Sequence, residues 1–203
     1  MTLKRSDSQI TLVNPTFDND PALVLLLKPD NVKQTTMTIL RTGQVAYNVE
    51  SNTSLTKCSV LRPGEKDPVA LIERKDLFPD KITLQGEERQ TIKSWLKGYG
   101  TFKEFPISFE RSGNTYHWKI NFVSQLALFN ANQPDHPIAW FERSKKRVID
   151  GKPVILQAWL AMEPEAISIQ DAVVVSFLVV EHKLRTDMKA GDLVAGRASN
   201  YVF

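Results

Sequence analysis

From Ala172 to Val180 every residue except Ser176 is apolar, so no face of an element there can meet water comfortably. Val173, Val174, Val175, Phe177, Leu178, Val179 and Val180 would each gain about 1.5–3 kcal/mol on full burial. The rest of the chain must therefore be built around this segment. Its valines favour a strand, but its surroundings favour a helix. The stretch Ser168–Arg185 is far longer than an ordinary strand. It opens on Ser168 with Asp171 three residues on, like a capping box, and ends on His182, Lys183 and Arg185, cations suited to a helix C-terminus. The pattern predicts a buried helix over 168–185.

Upstream, short apolar or alternating runs are separated by turn residues. Strands are predicted at Ala22–Lys28, Gln34–Leu40, Gln44–Glu50, Leu55–Arg62, Val69–Arg74 and Lys81–Leu84. The series resumes at Thr101–Phe109, Thr115–Asn121, Gln125–Phe129, His136–Arg143 and Val154–Ala161. Between the two groups, Ile92, Trp95 and Leu96 at helical spacing predict a short amphipathic helix over Glu87–Leu96, stopped by Gly98. About twelve antiparallel strands and one buried helix make the fold mainly β. No linker or repeat divides the chain, which reads as one domain over 1–203, with a core over 22–185 and peripheral ends at 1–21 and 186–203.

Composition adds little to this picture. At 203 residues, 42% hydrophobic and 24% charged, the chain is ordinary globular protein. A net charge of +3 is too slight and too dispersed for a nucleic-acid stripe, so nucleic acid is an unlikely partner. The single Cys58 excludes an internal disulfide and a cysteine-based zinc site. No segment approaches the roughly 18 consecutive apolar residues of a membrane span. The opening MTLKRSDSQITLV lacks an apolar signal core, so the sequon Asn52-Thr53-Ser54 reads as accidental and the location as cytoplasmic.

Tyr116-His117-Trp118-Lys119 after the Ser112-Gly113 turn, Ile138-Ala139-Trp140-Phe141, and Asp171–Val174 running into Phe177–Glu181 carry a family resemblance. Over about 22–185 the chain resembles the tubby C-terminal-like superfamily, which includes the LURP-one-related proteins and the phospholipid scramblases, and is most similar to a fungal branch of unknown function. The resemblance implies a closed barrel of about twelve antiparallel strands around the hydrophobic helix. The residues behind it are packing patterns, so it bears on fold far more than on activity.

Arg143, Lys145, Lys146 and Arg147 form the one dense basic cluster, expected in a loop between two strands. A solvated loop explains it; the functional reading is a patch for anionic lipid head groups, where each cation near an anionic surface contributes about 1 kcal/mol. Lys183, Arg185, Lys189 and Arg197 read as helix-end and tail charges. His117, His136 and His182 are scattered without ligand spacing, and Cys58 in a strand reads as a buried thiol; neither a metal nor another cofactor is expected. Tyr116, Trp118, Trp140 and Trp159, on successive strands, are expected in the core. No G-x-S-x-G, P-loop or G-x-G-x-x-G is present. The expectation is a non-catalytic intracellular binding module, meeting an anionic phospholipid surface or a protein partner. The alternatives are an enzyme with its site at a barrel end and a protein-interaction scaffold.

Overall fold

A computed structural model describes residues 11–15, 17, 20–75, 77–100, 105–121, 123 and 125–199, with side chains between 13 and 188. Its strands are β1 (Thr11–Val13), β2 (Leu23–Lys28), β3 (Thr35–Ile39), β4 (Val45–Ser51), β5 (Lys57–Leu61), β6 (Ala70–Glu73), β7 (Lys81–Leu84), β8 (Gln90–Thr91), β9 (Ile107–Arg111), β10 (Asn114–Ile120), β11 (Leu126–Asn130), β12 (Gln133–Glu142), β13 (Lys145–Ile149), β14 (Lys152–Leu156) and β15 (Ala158–Met162). The helices are α1 (Ile92–Trp95), α2 (Pro164–Ile167) and α3 (Gln170–Ser199). The predicted strand at Thr101–Phe109 is present from Ile107; its residues 101–104 lie outside the described residues.

Twelve strands form one antiparallel sheet in the order β8-β7-β6-β5-β4-β3-β2-β15-β12-β11-β10-β9. It curls around α3, whose residues Val173–Val180 are buried on every side. Strand period sorts the side chains: Leu25, Met37, Tyr47, Val60, Ile72, Phe109, Trp118, Leu128 and Leu160 all point at this helix-filled interior. Ser176, the one polar residue of the run, is satisfied twice: its Oγ donates to Val173 O at 3.1 Å and accepts from Trp118 Nε1 at 2.9 Å.

The expected closed barrel does not form. The hydrogen-bonded ladder ends at β8 and β9. The cause is local: the chain leaves the ladder after Thr91, whose Oγ1 accepts from Ser94 N at 3.1 Å and caps α1. A two-residue β8 cannot span the gap. Lys97 and Ser108 exchange both backbone bonds (2.8 and 2.9 Å) and tie the seam at one point, and Arg111 is ion-paired with Glu87 across it.

Other expectations change too. The helix predicted over Glu87–Leu96 shrinks to the four residues of α1, because Gln90 and Thr91 pair with β7. Ser168 is not a cap for α3: it ends α2, and its Oγ donates to Glu165 O at 3.0 Å. The buried helix runs on to Ser199, so His182, Lys183 and Arg185 lie mid-helix. Trp140 and Trp159 are on the outer face, where their rings meet edge-on and Phe17 packs against Trp159; only Tyr116 and Trp118 of the four are core. Finally, the basic cluster is not in a loop, because Lys145–Ile149 is β13, in a small separate sheet ordered β1-β14-β13.

Candidate functional site

Strand direction gives the curled sheet two distinct ends. At one, α3 begins. Asp171 in its first turn takes the Tyr47 hydroxyl (2.6 Å) and both 2.7 Å contacts of Arg62 Nη2, while Gln170 Nε2 donates to Tyr47 Oη at 2.9 Å. Burial, then the Asp171 carboxylate, pushes the Tyr47 hydroxyl well above its ordinary pKa, so it stays a donor. The other end, where α3 leaves the sheet, carries the cations that the sequence singled out.

The exit is held by a latch of charges. Glu181, 1% exposed, accepts from Arg143 Nε (2.6 Å) and Nη2 (3.1 Å) and from Arg185 Nε (2.7 Å). Arg185 also donates to Asp30 Oδ1 (2.5 Å) and Asp30 O (2.9 Å), and Asp30 Oδ2 accepts from Ser144 N and Oγ, each at 2.9 Å. Burial acts to raise the Asp30 carboxyl, but Arg185 and Ser144 outweigh it and hold it below the usual carboxylate value. Burial likewise opposes the Arg185 charge, and the hydrogen bonds it donates to Asp30 and Glu181 overcome this, raising the guanidinium. This latch ties the β2–β3 connection, the β12–β13 connection and α3 together.

The four residues of the sequence-predicted patch therefore divide. Arg143 belongs to the latch. Lys145 is ion-paired with Glu142 three residues back. Lys146 and Arg147 are exposed, with no ion pair among the described residues. Alternation along β13 puts Lys145, Arg147 and Ile149 on one face and Lys146 on the other. The first face borders a groove of about 550 Å³ whose apolar walls include Val13, Leu156 and Trp159. Arg143 and Lys145 also border a second groove of about 350 Å³, between α3 and β10–β12, lined by Ile120, Val123, Leu184 and Met188.

Sequence reading missed the hairpin that presents these cations, though the signal was there. Asp150-Gly151 between two alternating runs is the signature of a two-residue turn. Both residues have positive φ (50° and 73°), which a type I′ turn requires. The tip carries Val148, 72% exposed, and Ile149 beside the basic residues.

Elsewhere the chemistry is sparse. Ser108 Oγ lies 2.7 Å from His117 Nδ1 beside a groove of about 300 Å³. Burial and then Lys119 lower the imidazole pKa, and no carboxylate is bonded to His117 among the described residues. A cross-strand pair on β9 and β10 accounts for it. Cys58 is buried, and its burial raises the thiol. Among the described residues no group of three His, Cys, Asp or Glu could hold a metal ion, and no helix is long and apolar enough to cross a membrane.

Comparison with known protein families matches the family of unknown function DUF6593 over residues 30–186. This covers most of the chain, from the β2–β3 connection through the buried part of α3, and the chain belongs to that family. No curated protein matches, and no solved structure does.

Proposed function

We propose that this DUF6593 member is an intracellular, non-catalytic binding module that contacts anionic lipid head groups through β13 and its hairpin. The observation that carries the reading is the pairing of unneutralised Lys146 and Arg147 with the exposed Val148 and Ile149 on one hairpin at the exit end. Cations next to exposed apolar side chains suit an interface that is charged outside and apolar within. A helix-filled interior leaves no room for a ligand, so binding belongs to loops and outer faces. The groove along Lys145, Arg147 and Trp159 offers the same combination to a single lipid molecule.

Flotation with liposomes of graded phosphatidylserine or phosphoinositide content, at low and at physiological salt, tests this. Binding should rise with anionic content and fall with salt. Replacing Lys146 and Arg147 by Ala should remove about 2 kcal/mol, about 30-fold in partitioning. No binding at either salt, or binding indifferent to that double substitution, overturns the proposal.

A further inference from the structure

Apolar side chains are unevenly distributed between the two ends of the molecule. Of the exposed large hydrophobics among the described residues, only Val45 and Ile167 lie at the end where α3 begins; Leu55, Leu77, Phe78, Ile120, Val123, Val148, Ile149 and Met188 belong to the exit end or to the hairpin that leaves it. Three of them sit on two neighbouring connections, β4–β5 and β6–β7. Leu77 is 91% exposed, Phe78 66% and Leu55 46%. The connections are joined where Arg74 N donates to Thr56 O at 2.7 Å and Lys57 pairs with Glu73.

Three features separate this place from ordinary loop surface. Leu55 has φ +56°, a left-handed backbone that few leucines adopt. The Lys75 ammonium stands 5.6 Å from the centre of the Phe78 ring. Glu73 is ion-paired with Arg89 at 2.6 Å, and neither Lys57 nor Lys75 has an ion pair among the described residues. The result is exposed apolar side chains with exposed ammonium groups beside them, at a groove of about 400 Å³ lined by Thr56, Lys57, Arg74, Lys75, Leu77 and Phe78.

We infer that the Leu55 and Leu77-Phe78 tips are a membrane-inserting wedge that enters the apolar layer of an anionic bilayer while Lys57 and Lys75 stay at head-group level. The inference rests on the proposed lipid-binding function and adds a second attachment point at the same end as the β13–β14 hairpin. A lipid surface fits better than a protein partner for a physical reason. The apolar groups are few and lie on two short connections rather than on a contiguous face, and the exposed Lys57 and Lys75 beside them have side chains long enough to reach back to the polar layer.

The test uses the full chain with Phe78→Cys carrying an environment-sensitive fluorophore. Cys58 is buried, so the label goes to position 78. Phosphatidylserine vesicles should shift its emission to the blue, and lipids brominated on the acyl chain should quench it. Leu77→Ser with Phe78→Ser should weaken partitioning by roughly 30-fold while leaving the salt dependence and the thermal unfolding curve intact. Phe78→Trp should bind at least as well. If the protein floats with vesicles but the label stays in water and the serine variant binds normally, the wedge is overturned and the hairpin reading stands. If the protein binds no vesicle, both fall. A blue shift that depends on protein concentration without vesicles makes the tips a contact between copies, and also overturns the wedge.

Discussion

Removing Arg143 should destabilise the protein and leave its lipid affinity nearly unchanged, although Arg143 heads the basic cluster. Its guanidinium makes two of the three hydrogen bonds to Glu181, a carboxylate 1% exposed. In Arg143→Ala only the Arg185 contact at 2.7 Å remains to satisfy that buried charge. Breaking a fully buried pair costs about 3–5 kcal/mol. Here Arg143 keeps 34% of its side-chain surface in solvent and Arg185 stays in place, so about 2 kcal/mol is expected. For a chain of this size that lowers Tm by about 4–8 °C. Glu181→Ala should cost a similar amount by leaving two guanidinium groups facing each other. The double variant should cost less than the sum of the singles, because each single strands a charge that the double does not. Thermal and urea unfolding of the three variants, with flotation of each on anionic vesicles below its melting range, measures both quantities. An Arg143→Ala protein with Tm within about 1 °C of wild type that no longer floats would show that Arg143 is a free lipid ligand, and the latch would not be the structural device described here.

Three further outcomes follow from the same geometry. Phe177→Ala empties the space against Phe141 (ring centroids 4.5 Å apart) and Trp118 (6.4 Å) and should cost about 3–5 kcal/mol, read as a shift in the urea midpoint at unchanged m-value. Ser176→Ala leaves Trp118 Nε1 without its acceptor in a dry core and should cost about 1–3 kcal/mol, with a change in the near-ultraviolet indole signal. The folded pKa of Asp30 is depressed, so its contribution is present above the unfolded value of about 4 and is lost as pH falls through the lower folded value. Asp30→Asn should therefore be less stable than wild type at neutral pH, and the gap should close in acid; a gap constant with pH excludes this carboxylate as the source of the acid sensitivity.

Local pattern carried the fold a long way. The apolar run at 172–180 specified a helix with no solvent face, and alternation plus turn residues located most strands of the main sheet, although the single strand expected at Val154–Ala161 divides into β14 of the small sheet and β15 of the large one. The failures are non-local or involve competing patterns. Alternation marks which residues share a face but not which face is inside. Trp140 and Trp159 were therefore read as core when they lie outside, covered by Phe17 from the N-terminal segment. Gln90 and Thr91 answer to β7 rather than to the helical spacing of Ile92, Trp95 and Leu96, and that choice leaves the seam of the sheet open. The candidate site split for the same reason. Nothing near Arg143 in sequence announces Glu181, 38 positions away, as its partner, whereas Asp150-Gly151 did announce the hairpin on which Lys146 and Arg147 stand.

The distribution of polarity then constrains where any binding can occur. Inside, the helix fills the enclosure, and the hydroxyl of Ser176 is already bonded to Trp118 and Val173. At the end where α3 begins, Asp171 is consumed by Tyr47 and Arg62, leaving no free charge on that carboxylate. At the exit end the Glu181 and Asp30 carboxylates are likewise matched within the latch, but its rim is not: among the described residues Arg74 Nε and Nη1 are buried without a hydrogen-bond partner, Lys146 and Arg147 lack ion pairs, and Leu77, Phe78 and Val148 stand in water. A protein that pairs its buried carboxylates while leaving cations and apolar side chains exposed at one end presents there a surface that water satisfies poorly. An anionic, apolar-cored surface satisfies it well, and this asymmetry, rather than any single residue, directs the lipid experiments to that end.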